Sequence, residues 1–194
     1  MTSGSALQRA FLAVVPPPEV MRRTELLADS VRQVDDGLRW TRVDQRHVTL
    51  QFLGRVDDTE ALVASVGESV RQMPSFTVAL GGAGAFPSAR RASVLWLGVS
   101  KGADELGALA GAIGAATAPL GFVPDHRPFR AHVTVARSTH TRDLRAVVDA
   151  LASGATGPSF PVDRVVLFES DTRGDGAVHT ERARFALPAT RLSR

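Results

Sequence analysis

Two stretches, RHVTLQFLG beginning at Arg46 and AHVTVARS beginning at Ala131, carry the same His-Val-Thr-aliphatic run. β-branched residues favour strands, and successive strand side chains point to opposite faces. Each stretch therefore reads as a strand with His and Thr on one face and aliphatic anchors on the other. His47 and Thr49 stand against Val48 and Leu50, and His132 and Thr134 against Val133 and Val135. The chain has only five histidines, so the fold has to explain why two of them share one setting. If the two strands are neighbours, two imidazoles and two hydroxyls converge.

The remaining elements fall into order around these strands. Ala10 to Val15 is continuously apolar and meets Pro16, Pro17 and Pro18, as a buried strand ended by proline would. Val20, Leu27, Val31 and Val34 give Glu19 to Val34 a helical spacing. Asp57, with Glu60 three residues on, resembles a capping box opening a helix through Met73. FTVAL and ASVLWLGV read as strands joined by a long loop, GGAGAFPSARR. Ala103 to Ala118 and Thr141 to Leu151 read as helices, ASGATGPS as a loop, and DRVVLFES with VHTERARFAL as a final hairpin around DTRGDG.

This order is a pseudo-duplication, with the two His motifs at corresponding places. It predicts an α+β fold of two pseudo-symmetric lobes of mostly antiparallel sheet, helices outside, with the His-x-Thr strands facing a central cleft. No linker is long or polar enough to divide the chain, so residues 1–194 are expected to form a single bilobal domain.

The absence of cysteine excludes disulfides, thiolate zinc sites, iron–sulfur clusters and a cysteine nucleophile. No basic leader and no apolar run of membrane-spanning length is visible, which predicts a soluble cytoplasmic protein away from membranes. Lys101 is the only lysine, so arginine carries nearly all the positive charge behind a formal net of +3. Guanidinium groups bind phosphate bidentately and stack on bases, which suits a phosphorylated or nucleic-acid ligand.

Several motifs fail. DTRGDG has Arg173 at the third position of a calcium loop and Arg182 at the twelfth, where a glutamate is needed. GGAGAF lacks the third glycine of a dinucleotide fingerprint, and neither a P-loop nor a Gly-x-Ser-x-Gly elbow is present. His126, His140 and His179 have no partner at metal-ligand spacing and read as surface or turn histidines. No metal and no cofactor is expected.

Two convergent imidazoles suffice for phosphoester hydrolysis. One neutral ring takes a proton from water while one protonated ring gives a proton to the leaving oxygen, and histidine suits both tasks because its ordinary pKa is near ~6.5. Thr49 and Thr134 are placed to donate hydrogen bonds to non-bridging oxygens, where charge accumulates.

With QRAFLAVVPP, RHVTLQFLG, RPFRAHVTVARS and VVLFESDTRGDGAVHTERARFAL together, nearly the whole chain resembles the two-histidine phosphodiesterases, specifically the LigT-like RNA 2′,3′-cyclic phosphodiesterases once called 2′-5′ RNA ligases. The resemblance implies opening of a terminal 2′,3′-cyclic phosphate to a 2′-phosphate, with His47 as acid and His132 as base. It also implies a nucleobase held between Phe52 and Arg137. Strand parity opposes that sandwich, because an odd offset from each histidine puts both residues on the opposite face unless the strand ends, twists or bulges. Arg130 shares the His132 face by parity and is a candidate phosphate contact. Ala131 replaces a proline that many family members carry, and Phe11 matches a family aromatic but reads as core. The expected partner is RNA with a cyclic-phosphate end, tRNA fragments included, acted on by a monomer. An RNA-end binding module without turnover, 2′-5′ joining of RNA, and hydrolysis of small cyclic nucleotides are the alternatives.

Overall fold

The computed structural model describes residues 6–32, 34, 37–124, 126–154, 156–173 and 176–189. Its strands are β1 (Leu7–Val14), β2 (Arg39–Trp40), β3 (Val48–Val56), β4 (Phe76–Phe86), β5 (Ala92–Lys101), β6 (His132–Arg142), β7 (Thr156–Val162), β8 (Arg164–Arg173) and β9 (Gly176–Ala186). The helices are α1 (Pro18–Val31), α2 (Thr59–Arg71), α3 (Ala103–Thr117) and α4 (Arg145–Gly154).

All strand pairings among the described residues are antiparallel, in the order β7-β4-β5-β6-β3-β1-β8-β9, with short β2 added to β6. The two lobes are thus two four-stranded units, β9-β8-β1-β3 and β7-β4-β5-β6, which share one curled sheet. They meet where β3 pairs with β6 through Val48 and Val133. Each of those valines directly follows a motif histidine, so a pseudo-two-fold axis passes between the motifs.

Helices cover the face opposite the histidines, and they cross between lobes. Val31 of α1, which follows β1, is buried with α4 residues Val147 and Leu151 against Leu95, Leu97 and Val135 of β5 and β6. Leu106, Leu109 and Ile113 of α3, which follows β5, are buried with α2 residues Leu62, Val66 and Val70 under β1 and β3. The three glycines within α3 cost about 1 kcal/mol each in helix propensity. Burial of its three large aliphatic side chains contributes about 1.5–3 kcal/mol each, so packing decides the helix.

Four local expectations change. GGAGAF is not part of a loop, because β4 runs on to Phe86 and only Pro87 to Arg91 connects it to β5. A Cβ on Gly84 would lie 2.2 Å from Trp96 Cζ2, so glycine there admits the indole of the neighbouring strand. ASGATGPS is the end of α4 and the start of β7, with Ala155 outside the described residues. The prolines of β7 are tolerated because it is an edge strand. The cap of α2 is Asp58, whose side chain accepts from Ala61 N, while Asp57 pairs with Arg55. Thr141 and Arg142 extend β6 instead of opening α4. Gly174 and Asp175, at the tip of DTRGDG, lie outside the described residues. No described helix is long and apolar enough to cross a membrane.

Candidate active site

The third residue after each histidine is an extra residue in its strand. Between β1 and β3 the register passes from Leu12↔Gln51 to Ala13↔Thr49, skipping Leu50. Between β5 and β6 it passes from Leu95↔Ala136 to Trp96↔Thr134, skipping Val135. A β-bulge reverses strand parity downstream of itself. Leu50 and Gln51 are accordingly both buried, as are Val135 and Ala136. Phe52 and Arg137 return to the histidine face, where both are exposed, Phe52 by 74%. The parity conflict disappears, and Phe52 and Arg137 share that face.

The imidazoles are oriented in the same way. His47 Nδ1 lies 2.7 Å from the Gln45 carbonyl oxygen, and His132 Nδ1 lies 2.6 Å from that of Arg130. A carbonyl only accepts, so each Nδ1 carries the hydrogen and each Nε2 is left as the site of proton exchange. An antiparallel register about Val48 and Val133 sets His47 level with Thr134 and Thr49 level with His132.

The surroundings of the two rings differ. His47 stacks on Phe11 with centroids 4.8 Å apart and meets His179 edge-on at 5.3 Å. Phe11 is flanked in register by Phe52 on β3 and Phe168 on β8. His132 meets Phe86 edge-on at 5.0 Å and tilts towards Trp96 at 6.0 Å. The Arg130 guanidinium lies over the Trp96 ring at 5.1 Å, so this arginine is seated beside His132 but ahead of β6, where strand parity does not apply.

Burial holds His47 mostly neutral, its pKa pushed down to about 4; the Gln45 hydrogen bond opposes this, and the charges of His179, Arg137 and His132 add to it. His132 is also lowered by burial, against its hydrogen bond to the Arg130 carbonyl, with Arg137 and Arg130 contributing. The charge of Arg137 acts on both rings. His179 is lowered by burial as well, with Asp44 acting in the other direction.

The turn before His47 is held by a buried guanidinium. Arg46 Nη1 donates to Thr24 Oγ1 at 2.9 Å, Nη2 and Nε donate to the Thr41 carbonyl at 3.0 and 3.2 Å, and Nη2 also pairs with Glu25. Its side chain is fully buried. Ala131 holds the equivalent place before His132.

One sequence expectation fails and another gains a partner. His179, expected at the surface or in a turn, stands edge-on to both Phe11 and His47, with a buried Nδ1 that has no hydrogen-bond partner. Phe11 is buried as expected, yet it is buried against the histidine. Trp96, Phe86 and Arg46 were not singled out. Their roles depend on which strands and helices become neighbours. Among the described residues no three His, Asp or Glu side chains converge as a metal site would require.

An antiparallel curled sheet bearing two bulged His-x-Thr strands about a pseudo-two-fold defines a class, and residues 16–174 match the model of the 2′-5′ RNA ligase superfamily. The chain belongs to that superfamily. It is 34% identical over 131 residues to the RNA 2′,3′-cyclic phosphodiesterase of Aeropyrum pernix, covering 66% of this chain and 73% of that one. It is 31% identical over 187 residues to the enzyme of the same name from Escherichia coli, covering 93% and 97%. The crystal structure of E. coli LigT complexed with 3′-AMP superposes with a TM-score of 0.72 at 28% identity, covering 93% of this chain and 98% of that one.

Proposed function

We propose that the protein is an RNA 2′,3′-cyclic phosphodiesterase that opens a terminal cyclic phosphate to a 2′-phosphate, with His47, Thr49, His132 and Thr134 as its catalytic residues. The observation that carries this reading is the paired geometry: two imidazoles on one face, each with Nδ1 tied to the carbonyl two residues before it. Relatives named for this activity, and a LigT that holds 3′-AMP, support it.

In the proposed reaction His132 Nε2 takes a proton from water, the water oxygen bonds to phosphorus, the bond to O3′ breaks, and His47 Nε2 delivers a proton to O3′. Each proton transfer is worth about 10²–10⁴ in rate. Thr49 and Thr134 donate to the non-bridging oxygens as negative charge grows there. Both rings are mostly neutral at pH 7 in the free cleft, so the proton on His47 has to be taken up with the substrate, whose anionic phosphodiester offsets the Arg137 charge. Phe52 and Arg137 flank the terminal base, and Arg130 lies on the side of the incoming phosphate. Ring opening with an RNA 5′-hydroxyl in place of water, its proton taken by His132 and O3′ leaving with a proton from His47, would give a 2′-5′ linkage.

The test is incubation of the purified protein, with EDTA present, with a short RNA ending in a 2′,3′-cyclic phosphate. A 2′-phosphate product is expected. Binding without turnover would replace the reading with an RNA-end binding module, and a 3′-phosphate would overturn the leaving-group assignment.

A further inference from the structure

Beside the His47 half lies a cavity of about 620 Å³ that the reaction above does not use. That volume is within the ~300–1,000 Å³ typical of small-molecule sites. Its floor is apolar, formed by Val15, Pro16, Pro18 and Met21, and its other wall is Arg22 with the Arg42–Asp44 segment.

Register connects it to the histidines. Val14 pairs with Val48, so Val15 is level with His47, and alternation along β1 places Val15 on the face of Phe11 and Ala13. Val15 is 38% exposed there, whereas Val14 is buried. The opposite wall belongs to the same turn as Gln45, the residue whose carbonyl holds His47 Nδ1. Cavity and cleft are adjoining parts of one surface.

The lining chemistry narrows the occupant. Arg42 Nε and Nη2 donate to Asp44 Oδ1 and Oδ2 at 3.1 and 2.9 Å, which fixes the guanidinium plane and leaves a carboxylate at the wall. That carboxylate is paired with Arg42, and Arg22 stands apart from it at the rim. The carboxylate can accept from an exocyclic amine, while apolar side chains and a fixed guanidinium plane suit a flat aromatic ring. Arg22 is exposed at the rim, where a backbone phosphate would pass.

We infer that this cavity is a second subsite, which takes the nucleobase one nucleotide upstream of the cyclic-phosphate end and prefers bases carrying an exocyclic amine. The inference rests on the proposed function and narrows its substrate class to RNA of two or more nucleotides.

The experiment compares kcat/KM for a nucleoside 2′,3′-cyclic phosphate, for dinucleotides ending in that same group with cytosine or uracil upstream, and for a longer oligomer. The wild type should favour the cytosine dinucleotide over the mononucleotide by about tenfold or more, the scale of one stacked base, with uracil between them. Val15→Ala and Arg22→Ala, both at exposed positions and neither introducing a charge, should reduce the dinucleotide and oligomer rates severalfold and leave the mononucleotide rate unchanged. Equal rates on mononucleotide and dinucleotide, a preference that begins only with longer RNA, or variants that slow all substrates alike would overturn the subsite while leaving the activity standing. No turnover of any substrate by the wild type would instead overturn the proposed function.

Discussion

His47 packs against Phe11 and His179 beside a turn locked by buried Arg46, whereas His132 follows an exposed stretch, Val123, Pro124 and His126 to Arg130, and leans on Phe86 and Trp96. Both halves nevertheless keep four things: the ring, its Nδ1 tied to the carbonyl two residues back, the threonine two residues on, and the bulge one residue later. Those shared features fix where Nε2 and the hydroxyl stand and turn Phe52 and Arg137 towards them. The supporting packing differs because each half meets different neighbours. What the reaction geometry requires is repeated, and what merely holds it is not.

If the halves are chemically equivalent but structurally unequal, His47→Ala and His132→Ala should each lower kcat/KM by about 10²–10⁴ with the fold intact by circular dichroism. A variant that retains wild-type turnover would remove that ring from the chemistry. Stability should instead separate the halves. Arg46→Ala leaves the Thr41 carbonyl and the Thr24 hydroxyl without their buried donor, while Glu25 keeps Arg32, and should cost about 1–3 kcal/mol in urea unfolding. Arg130→Ala, which removes an exposed contact with Trp96, should cost no more than about 1 kcal/mol. Equal losses would break the comparison.

Phe52→Ala should raise KM for cyclic-phosphate RNA by about fivefold to 150-fold with kcat largely kept, the scale of one stacked base. Acid should also act on the His47 side. The folded ring has a pKa of about 4, below its ordinary value of 6.5, so between those values the unfolded chain binds more protons. Stability therefore falls as pH drops through that window, and His47→Gln should flatten the slope seen in urea midpoints. The smallest effect belongs to His179→Phe, which keeps the packing and removes a charge that lowers His47. The acid limb of its kcat/KM profile should move to higher pH, and an unmoved limb would mean that His179 only packs.

The alternation of His with Thr, the pseudo-duplication and the antiparallel lobes are legible in the sequence because they are local periodicities. The bulges at Leu50 and Val135 are not, since a bulge exists only in relation to a partner strand. GGAGAF hides a strand because Gly84 answers to Trp96 on β5, and β7 hides behind prolines that its edge position tolerates. Phe11 and His179 join the site through the β8–β9 hairpin and its pairing with β1, the latter closing over more than a hundred residues of chain. Arg46 was in view within the motif, but its role depends on α1 lying beneath it, where Thr24 and Glu25 become its partners.

The central claim is that the two motifs are one catalytic unit. Its most direct test is kcat/KM on a cyclic-phosphate RNA for His47→Ala, His132→Ala and the double variant. Groups that act together lose nearly everything when either is removed, so the double variant should be little worse than each single one. Losses that multiply in the double variant would show two independent contributions and contradict the account.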